Sequence, residues 1–147
     1  MFADLLRRLA APAPAPLPAA EASLSLAALL VRIARADDSY DSAERARIDR
    51  VLTGRGLSPF EAAALRVEAE TLEAEAPDTV RFTRALKEAV PYEDRTGVIE
   101  ALWDVALADG QRDAEEDALI RLVANLLGVN DRDSALARQR VEARRAP

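Results

Sequence analysis

The chain has 147 residues, Lys+Arg 20 against Asp+Glu 26 for a formal net charge of -6, and neither histidine nor cysteine. This composition excludes thiol and imidazole nucleophiles, an imidazole general base, the usual zinc ligand sets and any disulfide framework. A bound metal is left with oxygen donors alone, which select hard divalent cations such as Ca²⁺, Mg²⁺ or Mn²⁺.

The acidic balance opposes attraction to phosphate backbones, so nucleic acid is not an expected partner. Hydrophobic residues make up 50%, but aromatics only 4%, the composition of helices packed closely through small side chains. The longest apolar run, Leu26 to Val31, is far short of the roughly 20 residues that span a bilayer. The start lacks the long apolar stretch of a secretory signal. The expectation is a protein of the cytoplasm, not transmembrane, with an oligomeric state that the sequence leaves open.

In chain order, Phe2, Leu5, Leu6 and Leu9 lie on one face of a short amphipathic helix. It is read as a cap on the domain or as a dock for a partner or membrane surface. Alternating alanines and prolines follow up to residue 20, the composition of a semi-rigid tether. The folded domain is expected over residues 21–147. Within it the apolar periodicity predicts seven helices, at about 22–36, 42–54, 59–75, 78–89, 92–108, 114–127 and 131–143, and no strand.

Ser58, Pro59 and Glu61 supply an N-cap hydroxyl, a first-turn proline and an N3 carboxylate, and Pro77 and Pro91 are expected to open helices in the same way. Gly56, Gly110 and Gly128 fall where a left-handed residue closes a helix. The fold class is all-α: a helical bundle of about seven to eight helices, with two pseudo-symmetric helix-turn-helix halves.

Sliding the chain on itself by 72 positions pairs Ala36 with Ala108, Asp37 with Asp109, Asp41 with Asp113, Glu44 with Glu116, Ile48 with Ile120 and Gly56 with Gly128. The shared pattern is Asp-x-x-x-Asp-x-x-Glu in the turn between two helices. In the second copy Leu119, Leu122, Val123 and Leu126 are expected to form the buried stripe. Asp41 with Glu44, and Asp113 with Glu116, fit an N-cap and its N3 partner, which explains two acids per copy by stability alone. Asp37 and Asp109 sit at helix C-termini, where the dipole disfavours a carboxylate. Their recurrence asks for a compensating cation, either an arginine such as Arg45 or Arg112, or a bound metal. The turns are not EF-hands: counting from Asp109, Ala114 stands where glycine is required and Ile120 where a bidentate glutamate belongs.

The segments LLVRIARADDSYDSAE and ALWDVALADGQRDAEEDALIRLVANLLGV resemble the two signature hairpins of the TerB (tellurite-resistance B-like) family, with a likeness that runs from about Leu24 to Val129. The resemblance implies an all-helical domain with an acidic cluster that chelates metal, in proteins tied to tellurite and other chemical stress. Its ligand candidates here are Asp37, Asp41 and Glu44 with Asp109, Asp113 and Glu116. Asp38 replaces the motif's glycine in the first copy, which either reshapes that turn or adds a ligand.

Trp103 is expected in the core. Glu68, Glu70, Glu73 and Glu75 are read as a solvated acidic face. Arg138, Arg140, Arg144 and Arg145 complement a helix C-terminus, with phosphate contact as the lesser alternative. The leading expectation is a non-catalytic metal-binding or sensing domain. Second comes an interaction module, its acids only caps, that recruits stress-response or membrane-associated proteins. An enzyme comes last, because no positioned nucleophile or phosphate-cradling glycine loop is present.

Overall fold

A computed structural model describes residues 19–36, 40–76, 78–108 and 114–145. Among them are seven α-helices: α1 (Ala19–Arg35), α2 (Ser42–Thr53), α3 (Pro59–Glu75), α4 (Val80–Ala89), α5 (Arg95–Ala106), α6 (Ala114–Leu126) and α7 (Asp131–Arg145). The described residues contain no strand. The amphipathic segment around Phe2 to Leu9 lies outside them, as does most of the Ala/Pro tether, whose last two residues already belong to α1. No helix among the described residues is long and apolar enough to cross a membrane.

α1 is the axis of the bundle. Ala22, Leu26, Ala27, Ala28, Leu29, Leu30, Val31, Ile33 and Ala34 are all buried, so the helix is enclosed on every side rather than along one stripe. It packs against α2, α3, α4, α5 and α6, and its alanines let those neighbours approach closely. α5 is the second central helix, with Val98, Ile99, Ala101, Leu102, Trp103, Val105 and Ala106 buried and α1, α2, α6 and α7 around it.

Helix ends follow local chemistry. Ser58 Oγ accepts from the Glu61 amide while Glu61 Oε1 accepts from the Ser58 amide, a complete capping box with Pro59 at the first turn. The Ser58 amide first, and its hydroxyl second, favour the ionised form of Glu61 and hold its carboxyl below the usual range. Gly56 (φ 106°) and Gly128 (φ 76°) adopt the left-handed conformation expected of residues that close helices. Pro91 does not open an α-helix directly: Tyr92–Asp94 wind as a 3₁₀ turn, and α5 starts at Arg95. Arg95 then ties helix ends together, donating to the carbonyls of Lys87 in the last turn of α4, of Val90 just after it and of Leu127 just after α6.

The stripe expected on α6 is rotated. Leu122 is 47% exposed, whereas Ile120, Val123, Ala124 and Leu127 are fully buried. Glu116 lies one turn before Ile120 on that inner face and is only 7% exposed.

Candidate functional site

Of the seven acids singled out in the sequence, Asp41, Glu44 and Glu116 lie within the described residues, and Asp37, Asp38, Asp109 and Asp113 lie outside them. Asp41 behaves as the N-cap of α2: its Oδ1 accepts from the Glu44 amide at 3.0 Å. Its carboxylate is exposed, so its other lone pairs face water. Glu44 is half-buried one turn further on. Glu116 sits in the third position of α6, held by interactions at the edge of the core. All three are hard oxygen donors, which suits a divalent cation of the Ca²⁺, Mg²⁺ or Mn²⁺ kind. Among the described residues alone, no group of three or more acids forms a metal site. A site would therefore need the acids of residues 37–38 and 109–113 as well.

The described residues also show what anchors the first turn, and sequence reasoning missed it. Tyr40, immediately before Asp41, donates its hydroxyl to Glu70 of α3. The guanidinium groups of Arg35 and Arg45 lie over its ring at 4.7 Å and 5.6 Å, cation-π contacts that help to hold it. Arg45, a candidate counter-charge for the turn, thus covers Tyr40.

Glu70 and Glu73 are not the solvated face expected of them. Glu70 also accepts from Arg66 at 3.0 Å, and Arg66 reaches Asp49 of α2 at 2.7 Å. Glu73 bridges Arg32 and Arg35 of α1. Glu68 and Glu75 alone remain exposed. The result is a continuous polar seam joining α1, α2 and α3.

Burial raises the Tyr40 phenol above its ordinary value, and the neighbouring Glu70 carboxylate raises it further. The folded protein therefore holds this proton more tightly than the unfolded chain. Stability contributed by Tyr40 is complete below the ordinary phenol range, near pH 10, and is lost as pH climbs above it. We expect a melting temperature that falls on the alkaline side, and a Tyr40→Phe variant in which this fall is weaker. At neutral pH the variant should be destabilised by about 1.5 to 3 kcal/mol, the worth of a hydrogen bond to a charged group. Melting curves across alkaline pH for both proteins check this, and parallel alkaline limbs would refute it.

The residues from the first helix to the last match a known family model, described as tellurite resistance protein TerB, over residues 23–139. The chain belongs to the TerB family. Searches of curated proteins and of solved structures give no match. The TerB match takes in both acidic hairpins and ends inside α7, so the last arginines of that helix lie beyond it.

Those arginines serve α5 rather than only their own helix end. Arg144 pairs with Glu100 at 2.9 Å, Arg140 approaches Glu100 at 3.4 Å, and Arg144 lies 3.8 Å from Asp104. Arg138 pairs with Glu142 and covers the buried Trp103 ring at 5.8 Å. The Trp103 indole N–H is buried with no hydrogen-bond partner among the described residues.

Proposed function

We propose that this TerB domain is a non-catalytic binder and sensor of a divalent cation, acting in the cytoplasm in the response to chemical stress of the tellurite type. The observation that carries this reading is the recurrence of Asp-x-x-x-Asp-x-x-Glu 72 positions apart, each time between two helices of the bundle. Capping accounts for Asp41. It does not account for Asp37 and Asp109, which follow helix C-termini where a carboxylate is disfavoured. Nor does it account for the burial of Glu116, since a cap partner needs only the helix surface.

In this reading Asp37, Asp38, Asp41 and Glu44 from one turn and Asp109, Asp113 and Glu116 from the other supply the oxygens. An ion held by both turns would tie the α1–α2 hairpin to the α5–α6 hairpin. Binding would then register as a change in how the two halves are held, which stress-response or membrane-associated partners read.

Titration of Ca²⁺, Mg²⁺ and Mn²⁺ into chelator-treated protein tests the proposal. At a free ion concentration one hundred times the dissociation constant, binding should stabilise the fold by about 2.7 kcal/mol. That corresponds to roughly 5 to 10 °C in melting temperature for a chain of this size. Asp109→Asn should weaken or abolish both the heat and the shift. A wild-type protein that shows neither removes the proposal.

A second reading, an interaction module, draws support from α3, where Phe60 is 83% and Val67 54% exposed two turns apart on one face. Silence in the cation titration would leave it as the better account.

A further inference from the structure

A cleft of about 560 Å³ opens on the outer side of α5, between α2 and the end of α7. Its floor is Gly97, Glu100 and Asp104 on one face of α5, continued by Ala108 in the turn after it. Its walls carry five arginines: Arg47 and Arg50 from α2, Arg55 from the turn after it, and Arg144 and Arg145 from α7. Among the described residues two carboxylates, Glu100 and Asp104, line the same space, and Glu100 is already taken by Arg144 and Arg140. The cleft thus carries a local excess of positive charge in a chain whose net charge is -6.

The arginines differ in what they already do. Arg55 is anchored, donating from Nη2 to the Gly97 carbonyl at 3.0 Å. Burial pulls its guanidinium below its ordinary value, against the pull of Asp104 and Glu100. Burial likewise pushes the Asp104 carboxyl up, against Arg144, Arg55 and Arg145. Arg47 and Arg50, by contrast, make no ion pair with a described carboxylate. Space is also provided: a Cβ added at Gly97 would meet nothing within 4 Å.

Five arginines lining one cleft, with two described carboxylates beside them, suit a tetrahedral oxyanion, since the guanidinium fork matches phosphate oxygens in pairs. We propose that this cleft binds a phosphate group, free or carried on a small molecule, with Arg47, Arg50 and Arg145 as its ligands and Arg55 as the anchored base of the site. The cavity is larger than phosphate alone, which leaves room for an esterified group. Arg144 and Arg145 lie beyond the TerB match at residues 23–139. Its test stands whether or not a cation binds at the acidic turns.

The experiment is a titration at low ionic strength of inorganic phosphate, AMP and adenosine, followed by amide shifts of Gly54 and Gly97 and by calorimetry. Phosphate should bind with a dissociation constant on the order of 1 mM. An Arg47→Gln, Arg145→Gln double variant, altered only on side chains at the rim, should weaken it at least roughly tenfold, about 1.4 kcal/mol. Gly97→Leu, which fills the floor without touching a charge, should do the same. AMP binding more tightly than phosphate supports an esterified ligand, and equal binding supports free phosphate. The proposal is overturned if neither binds, if adenosine binds as well as AMP, or if both variants retain wild-type affinity.

Discussion

Replacing Arg32 by alanine is expected to cost about 3 to 4 kcal/mol of stability and to lower the melting temperature by roughly 10 °C. Arg32 sits on the central helix and is half-buried beside the end of α3. Its Nε donates to Glu73 Oε2 at 3.0 Å, its Nη1 to the Thr79 hydroxyl at 3.3 Å, and its Nη2 to the carbonyls of Glu73 and Ala76 at 3.1 and 2.8 Å. One guanidinium therefore serves both the carboxylate of α3 and the carbonyls at its C-terminal end. Alanine would leave the Ala76 carbonyl without this donor and Glu73 with Arg35 as its remaining cation, in a site from which water is largely excluded. Arg32→Lys should recover less than half of the loss, because an ammonium keeps the charge but not the planar fork. Thermal and urea melts of the three proteins measure this. A lysine variant as stable as the wild type would show that charge, not geometry, is what the site requires.

Phe82→Ala is expected to cost about 3 to 5 kcal/mol, the range for removing a fully buried aromatic ring. Phe82 is 0% exposed and is among the largest enclosed side chains of the core. Its ring also lies 5.3 Å from the Arg32 guanidinium, so it closes the apolar side of the polar seam. The two substitutions should therefore not add: a double-mutant cycle should return a coupling of about 1 kcal/mol, the order of a partly desolvated cation-π contact. Phe82→Leu keeps most of the volume and removes the π face, and should separate the packing loss from the coupling. Strict additivity in the cycle would refute the contact as an energetic unit.

These sites show which parts of the molecule were legible in its sequence. The helices were, because their ends are written in local chemistry: Ser58, Pro59 and Glu61 at one start, and Gly56 and Gly128 at two stops. The inner face of α6 was misjudged for a physical reason. Leu122 outranks Glu116 in hydrophobicity, so a pattern weighted by apolar residues turns the helix toward Leu119 and Leu126, whereas packing against α1 and α5 selects Ile120, Val123 and Leu127 and takes Glu116 with them. Of the candidate ligands, Asp41 is the cap its spacing announced, while Glu116 is more enclosed than a cap partner requires.

The polar seam was invisible to local spacing because its partners are distant in the chain, 41 positions for Arg32 and Glu73 and 30 for Tyr40 and Glu70. One signal was available: Arg32 and Arg35 on α1, and Glu70 and Glu73 on α3, each stand three apart, so the two helices carry matched charge pairs on single faces. Recognising them would have moved Glu70 and Glu73 from the solvated surface to the contact between helices. The excess of arginine at the end of α7 is plain in the sequence, but its meeting with α2 depends on how both pack on α5.

The enclosure of α1 has a consequence for how the chain matures. This helix emerges from the ribosome before every other described helix, yet the surfaces that cover it come from α2 through α6, the last of them nearly the whole domain later. Until they arrive, a strongly apolar segment stands uncovered, the kind of transient surface that chaperones grasp and that aggregation exploits. Translation speed between α1 and α6 should then govern the yield of native protein more than the strength of any single contact within it.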